Sequence, residues 1–216
     1  LFIDNYYSTF NRPNVALVND PNGVVSVTST GVEMASGDRH DVDVLIYATG
    51  FDSNHIPFPV TGRDGVSLAD QYGANEANNW QMTRPQSLWG MHVENLPNFY
   101  LMIGPQSLNP VTNVTLLCEE QGKYIANLVA RMRKQGENEV EPTAAAVADW
   151  TQRCNASADG KVWLRCNNWY MKSTKSDVEA GRERSQGMWM DTYETYLQHV
   201  LGGAGGSQET LLRFRA

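Results

Sequence analysis

Cysteine is scarce in this sequence, and its distribution argues against both a disulfide framework and a zinc site. Only three cysteines occur among the 216 residues, at positions 118, 154 and 166. They are odd in number and form no Cys-x-x-Cys pair, so free thiols in a reducing compartment are predicted. The four histidines lie at no metal-ligand spacing from one another or from a cysteine. No metal site is therefore expected.

Long apolar runs, a basic leader and an excess of positive charge are also missing. No stretch of about 18 apolar residues is present, so no transmembrane helix is expected. No basic and then apolar segment opens the chain, which favours a cytoplasmic location without membrane contact. The net charge of −7 argues against nucleic acid as a partner. Residue 1 is Leu rather than Met, and the opening segment reads like the middle of a domain, so we expect a fragment of a longer protein.

What is present is a mixed pattern of strands and helices, and 41% hydrophobic residues are enough for a core. Alternation predicts short antiparallel strands at 23–28 and 31–34, after another short strand at 14–18. Nearly continuous apolar runs at 43–47 and 98–103 predict strands buried on both faces, as in a parallel sheet. The fold class is therefore α/β.

Three helices are predicted in the second half. Apolar residues at 3.6-residue spacing predict a helix from Val114 to Gln135, capped by Thr112 or Asn113. Pro142 is expected to open a second helix. Residues 191–201 are expected to form a third. The segment 52–90 is rich in Gly, Pro and Asn and should form long loops with short strands.

Both predicted buried strands end in glycine turns, Ala-Thr-Gly at 48–50 and Gly-Pro at 104–105. Ligands gather beyond the carboxyl ends of strands in open α/β sheets, and glycine lets the backbone approach them closely. The second turn leads to a helix N-terminus near Asn113, whose N–H groups would suit the C2 oxygen of a flavin. Spacing alone, however, favours two ordinary strand-ending turns.

An ordered series of short motifs resembles the Baeyer–Villiger class of flavoprotein monooxygenases. The resemblance covers about 190 residues, and its strength lies in the order of the motifs rather than in any one of them. The series comprises Y-Y-S-T-F-N-R-P-N-V (6–15), A-T-G-F (48–51), G-R-D-G-V-S-L (62–68), L-P-N-F-Y-L-M-I-G-P (96–105), T-N (112–113), E-x-Q (119–121), E-P-T (141–143), W-T-x-x-C (150–154) and C-N-N-W-Y (166–170). After this last motif the sequence at 171–186 departs from the family pattern, so the substrate stays open.

The resemblance implies a fragment of a protein with two dinucleotide-binding domains. Residues 1–47 would end the NADPH-binding domain, 48–201 would form the C-terminal part of the FAD-binding domain, and 202–216 would be a flexible Gly-rich tail. The implied cofactors are FAD and NADPH. The implied reaction inserts one oxygen atom of O2 into a small ketone, giving an ester or lactone.

The resemblance also assigns cofactor-facing and substrate-facing residues. Thr49 and Gly50 would form a tight crossing between the two domains near the cofactors. The flavin-facing loop and helix start would comprise Gly104, Pro105, Thr112 and Asn113. Trp169 would contact NADP, although a plain core aromatic is an equal alternative. The substrate side would be lined by Gln106, Ser107, Leu108 and Asn109.

No catalytic residue is assigned to the chain. In the family, the essential arginine and the G-x-G-x-x-G turns lie N-terminal to the segment that corresponds to residue 1 of this chain. The expected partner is therefore the N-terminal part of the same polypeptide. The isolated chain should then be inactive and colourless. Two alternatives remain open: a non-catalytic binding or scaffold domain derived from such an enzyme, and a flavin monooxygenase that oxidises a sulfide or an amine.

Overall fold

A computed structural model describes residues 4–49, 58–78, 82–108, 112–161, 188–202 and 208–216. The chain divides into two compact units, Leu1–Phe51 and Asp52–Ala216. The boundary predicted at 47/48 lies just before this division. The assignment of the units to NADPH-binding and FAD-binding domains stays a prediction.

The first unit contains a small antiparallel sheet. Helix α1 (Tyr6–Thr9) is followed by strands β1 (Val24–Val27), β2 (Gly31–Met34) and β3 (Arg39–Asp41). The strands lie in the order β1-β2-β3, with Val27 paired with Val32 and Val32 with His40. This confirms the antiparallel strands predicted around 23–34.

The strands predicted at 14–18 and 43–47 are wrong, because neither segment belongs to a strand. The apolar run in the second segment is instead exposed, with Val44 at 75% and Ile46 at 81%. A strand needs hydrogen-bonding neighbours, and a strand buried on both faces also needs layers that cover it. The described residues of the first unit supply neither to this segment.

In the described part of 52–90, the predicted long loops carry short helical elements instead of the predicted short strands. They are a 3-10 turn (Arg63–Gly65), helix α2 (Leu68–Gln71) and a second 3-10 turn (Glu76–Asn78). The strand predicted at 98–103 is wrong, since only an isolated bridge between His92 and Tyr100 forms there. Asn98 and Ile103 have φ of 58° and 53°, values that a strand excludes.

Helix α3 (Val114–Gln135) has the predicted bounds. Asn113 rather than Thr112 caps it, because its side chain accepts hydrogen bonds from the amides of Thr115 and Leu116. Gly136 ends the helix with φ of 72°, a left-handed conformation that glycine adopts readily. The buried face of the helix consists of Leu117, Gln121, Tyr124, Leu128 and Met132.

A strand–helix unit follows, and the end of the chain returns to it. The elements are β4 (Glu139–Pro142), α4 (Ala144–Ser157), α5 (Tyr193–Gly202), α6 (Gln208–Leu211) and β5 (Leu212–Arg215). Pro142 ends β4 instead of opening α4, whose cap is Thr143. Strands β4 and β5 pair antiparallel, with Val140 opposite Phe214. The flexible tail predicted for 202–216 is therefore wrong for 212–215, while 203–207 lie outside the described residues.

The main core of the second unit lies between α3, α4, α5 and the β4–β5 sheet. Its largest fully buried side chains include Trp89, Trp150 and Tyr196. A smaller cluster contains Leu68, Tyr72, Val93 and Leu96. Across the described ranges, no helix is long and apolar enough to cross a membrane. Cys118 and Cys154 are not in disulfides, and Cys166 falls outside those ranges.

Candidate functional site

Two loops of the second unit pack backbone against backbone around the predicted flavin-facing turn. The Gly104 amide donates to the Gly90 carbonyl at 2.9 Å, and the Leu101 amide donates to the Met91 carbonyl at 2.9 Å. A Cβ added at Gly104 would lie 2.8 Å from the Gly90 oxygen, and one added at Gly90 would collide with Ser107. Glycine at both positions is thus required by the close approach of the loops themselves.

The same turn carries unusual backbone conformations. Ile103 has φ of 53° and Gln106 has φ of 63°, and Trp89 in the facing loop has φ of 58°. A left-handed conformation at a β-branched residue such as Ile103 costs about 1–3 kcal/mol and persists only where its surroundings hold it. Such residues cluster at ligand-binding and active sites. The turn 103–106 is therefore the strongest candidate for a functional element in the described part of the chain.

Gln106 is a structural centre of this turn rather than a substrate-facing side chain. Its side chain accepts a hydrogen bond from the Ser87 amide at 3.1 Å and donates to Thr151 Oγ1 at 2.9 Å. Its carbonyl accepts from the indole N–H of Trp150 at 3.0 Å. The hydroxyl of Ser87 donates to the Pro105 carbonyl in the same network. The turn is thereby anchored to α4 and to the loop that contains Ser87.

The prediction that residues 106–109 line the substrate side needs correction for the three residues that the structure describes. Gln106, Ser107 and Leu108 are 1%, 0% and 1% exposed, respectively. The Ser107 carbonyl accepts from the Trp189 amide at 2.8 Å, and Leu108 forms a bridge with Trp189. Their side chains belong to the core because hydrogen bonds and packing already occupy them, so they do not line an open substrate surface. Asn109 lies outside the described residues.

The N-terminus of α3 is the exposed part of the candidate site. Asn113 is exposed, and its Oδ1 accepts from the amides of Thr115 and Leu116 at 3.0 and 3.3 Å. The chain's own cap therefore occupies two of the amides that were predicted to face a ligand. The positive end of the helix dipole remains directed outward. Val114 in the first turn is 47% exposed, as is Met102 before the strained turn.

This surface fits a flavin edge in outline. A helix end of positive potential suits an oxygen that carries partial negative charge, and exposed apolar side chains suit an aromatic ring. Gly104 and Pro105 precede this helix start along the chain, and both are half-buried. Thr112 is also half-buried, next to the cap.

The remaining predicted residues are Thr49, Gly50 and Trp169. Thr49 is exposed and belongs to the first unit. Gly50 and Trp169 lie outside the described residues. The roles predicted for these three positions stay predictions.

Titratable side chains near the turn are buried and held in neutral forms. His92 Nε2 lies 2.9 Å from the Tyr124 hydroxyl, and burial lowers the pKa of His92 to about 3. Burial also raises the pKa of Tyr196 to about 12. Neither group changes charge near neutral pH. In the described ranges, no group of histidine, cysteine and carboxylate side chains is placed to hold a metal ion. The region therefore offers shape and hydrogen bonds rather than acid–base chemistry.

Sequence reasoning missed the network that holds the turn. Gln121 contacts Ile103, Ser107 and Tyr196 through its side chain. One signal was available, because Gln121 is a polar residue at a core position of the helical pattern, within the E-x-Q motif. A buried amide of this kind must find hydrogen-bond partners.

Comparisons with known proteins identify relatives of the chain. No protein-family model matches the chain. It is 32% identical over 172 residues to a Baeyer–Villiger monooxygenase of Pseudooceanicola batsensis, an alignment that covers 77% of the chain and 29% of that protein. It is 31% identical over 168 residues to a cyclohexanone 1,2-monooxygenase of an Acinetobacter species, which covers 76% of the chain and 29% of that protein.

The chain is also similar to solved structures of monooxygenases. A cyclohexanone monooxygenase from Rhodococcus sp. Phi1, bound to NADP+, matches 98% of the chain and 38% of its own length, with a TM-score of 0.74 and 27% identity. The structure of OTEMO in complex with FAD and NADP matches 97% of the chain and 36% of its own length, with a TM-score of 0.75 and 25% identity.

The fold thus defines the class of protein as a flavoprotein monooxygenase. Within that class, the chain belongs to the Baeyer–Villiger monooxygenase family. It spans about three-tenths of the length of these curated relatives.

Proposed function

We propose that this chain is the C-terminal portion of a monooxygenase that depends on FAD and NADPH and inserts one oxygen atom of O2 into a ketone, giving an ester or lactone. The supporting observation is the 32% identity over 172 residues to a Baeyer–Villiger monooxygenase. A solved relative that matches 97% of the chain is a complex with FAD and NADP. The N-terminal portion of the polypeptide would supply the dinucleotide-binding turns and the catalytic arginine.

In this proposal, the turn 103–106 and the N-terminus of α3 form one wall of the flavin site. FAD, when bound, would supply the oxygen-transfer chemistry, while the protein supplies position and charge. Gly104, Pro105, Thr112 and Asn113 would contact it. The strained φ of Ile103 supports this assignment, because strain of this kind clusters at ligand sites. The exposed Val114 would offer apolar surface to the ring.

The exposed apolar run in the first unit supports a missing neighbour. Val44, Ile46 and Tyr47 are all strongly exposed, although such residues are usually buried. In the complete protein this segment would be covered by the missing part of the NADPH-binding domain.

The proposal is tested by reconstituting the protein. The chain would be purified alone and also joined to the N-terminal portion of a cyclohexanone monooxygenase, and flavin absorbance would be measured in both. We expect a colourless isolated chain and a joined protein that binds FAD and consumes NADPH when cyclohexanone is added. A stoichiometric flavin spectrum from the isolated chain would contradict the need for a second portion. A joined protein that folds without flavin would contradict the proposed function.

A matched pair of substitutions tests the wall itself. Val114→Glu places a negative charge in the first turn of α3, where the helix dipole stabilises it. Asn127→Glu places the same charge at an exposed position in the middle of the helix. We expect FAD binding to weaken only in the first variant. Equal FAD affinity in both variants would mean that this helix end does not face the flavin.

The activity of the joined protein separates the substrate classes. Oxidation of a sulfide or an amine by the joined protein, with no activity on ketones, would support the sulfide- or amine-oxidising alternative.

A further inference from the structure

Gln121 is a polar side chain on the buried face of α3, between Leu117 and Tyr124. It is 1% exposed. A buried amide without partners would destabilise the fold, and this one has partners on both of its ends. Its contacts reach three separate segments, namely the loop at Trp89, the turn at 103–107 and helix α5.

The hydrogen bonds determine the orientation of the Gln121 amide. Its Oε1 accepts from the backbone amide of Ile103 at 2.9 Å, which only an acceptor can do. Its Nε2 then donates to the Tyr196 hydroxyl at 2.9 Å and to Ser107 Oγ at 3.1 Å. The Tyr196 hydroxyl donates in turn to the Trp89 carbonyl at 2.6 Å. Each of these four hydrogen bonds thus joins a donor to an acceptor.

The bond to Ile103 falls on the strained residue of the candidate site. Ile103 has φ of 53°, and its amide is directed to Gln121 rather than to another backbone carbonyl. Ser107, just beyond the other end of the turn, is held by the same side chain. Gln121 therefore holds both ends of the turn 103–106.

Gln121 also belongs to the helix whose first turn forms the other part of the wall. Helix α3 begins at Val114 and is continuous through Gln121. A helix is stiff over this length, so a side chain fixed to it transmits the position of its N-terminus. Gln121 thus links the turn directly to α3, in addition to the bonds that anchor the turn to α4.

We propose that Gln121 is a positioning residue, which fixes the turn 103–106 relative to the N-terminus of α3 so that both face the flavin together. This proposal rests on the proposed function for the identity of the ligand. It adds a residue that does not touch the flavin but determines how well the flavin is held. The competing explanation is that Gln121 contributes only to the stability of the core.

Three variants of the FAD-binding joined protein separate these explanations. Gln121→Met keeps the length of the side chain but removes both the acceptor and the donors. Gln121→Glu keeps an acceptor for the Ile103 amide. Leu128→Ala is the control, because Leu128 is buried on the same helix face but makes none of the polar contacts to the turn.

The readouts are the FAD dissociation constant, the flavin reduction potential, the melting temperature and hydrogen exchange at the Ile103 amide. We expect Gln121→Met to weaken FAD binding by roughly tenfold, the order expected when a buried hydrogen bond is lost and its partner is left unpaired. Its flavin potential should shift, and exchange at Ile103 should be faster. Gln121→Glu should recover part of the affinity. Leu128→Ala should lower the melting temperature while leaving FAD affinity and Ile103 exchange close to those of the unsubstituted protein.

The possible failures are distinguishable. If Gln121→Met and Leu128→Ala weaken FAD binding equally for the same loss of melting temperature, Gln121 is only a core residue and the proposal is overturned. If the unsubstituted joined protein binds no FAD, the proposed function fails. If hydrogen exchange at the Ile103 amide is unchanged in Gln121→Met, the positioning role is rejected separately.

Discussion

His92 illustrates how burial determines the chemistry of single residues in this protein. The imidazole lies inside the core, next to Trp89, Tyr100 and Tyr124. Its Nε2 is 2.9 Å from the Tyr124 hydroxyl, and no carboxylate among the described residues offsets the cost of a positive charge. Burial therefore lowers the pKa of His92 from 6.5 to about 3.

This lowered pKa predicts a specific loss of stability in acid. Between pH 6.5 and about 3, the unfolded chain binds a proton at His92 and the folded chain does not. The free energy of unfolding should therefore fall with decreasing pH in that window, by up to about 1.4 kcal/mol per pH unit from this residue. Urea unfolding of the wild type and of His92→Gln at pH 7 and pH 5 measures it.

The comparison with the variant is needed because other groups titrate in the same direction. Burial also lowers the pKa of His199, and the hydrogen bond from Arg63 lowers that of Glu139. Both contributions persist in His92→Gln and cancel in the difference. Identical pH dependence in the two proteins would show that folding does not lower the pKa of His92.

At this scale the sequence indicates which residues form the turn but not where their side chains point. The motif L-M-I-G-P identifies the segment, yet its pattern favours a strand, whereas the chain turns at Ile103. Gln106 was expected to face a substrate, but it bonds with Ser87 and Thr151 in the core. These bonds join residues far apart in the sequence, and no local pattern specifies them.

Among the elements, α3 depends on the residue that precedes it. Asn113 accepts hydrogen bonds from two first-turn amides through its side chain. Asn113→Ala should lower the free energy of unfolding by about 1 kcal/mol, because those amides lose their partner. Asn113→Asp keeps an acceptor and should retain most of the stability. Urea denaturation of the three proteins tests this, and equal stability of Asn113→Ala and the wild type would contradict the role of the cap.

Strand β5 is the element most at odds with a flexible tail. Leu212 is 1% exposed and lies opposite Pro142 of β4. Leu212→Ala should lower the free energy of unfolding by about 2–5 kcal/mol through the cavity that it leaves. Arg213→Ala is the control, because Arg213 is exposed in the same strand. Equal effects from the two substitutions would show that β5 does not pack as described.

Elements could be predicted where local sequence determines them. The bounds of α3 follow from the 3.6-residue spacing of its apolar residues and from a capping residue at 113, both of which are local. β5 follows a glycine-rich segment and is stabilised by pairing with a distant strand. Tertiary pairing of this kind overrides the composition of the neighbouring residues.

For the whole molecule, the exposed apolar run of the first unit predicts how the chain behaves alone. Val44 and Ile46 have few contacts to lose, so Val44→Thr with Ile46→Thr should change the free energy of unfolding by no more than about 0.5 kcal/mol. The double variant should nevertheless bind less of a hydrophobic dye. In the joined protein the same pair should be clearly destabilising. Unchanged dye binding by the double variant would show that the dye binds to apolar surface other than Val44 and Ile46.

The family could be recognised from the sequence because many short motifs occur in the family's order, although each motif alone is a weak signal. The structure adds the physical reasons for some of those motifs. Gly104 is required by the backbone of Gly90, and the glutamine of E-x-Q holds the strained turn. Neither reason is visible in the spacing of residues along the chain.

The β4–β5 pairing also has a consequence for how the protein is made. Strand β5 is synthesised about 70 residues after β4, which takes several seconds at the usual rates of translation. During that time β4 has no strand beside it, and its unpaired edge is open to other chains. Yield in a bacterial host should therefore respond to slower growth, lower temperature or chaperones that shield nascent polypeptides, even where the finished protein is stable.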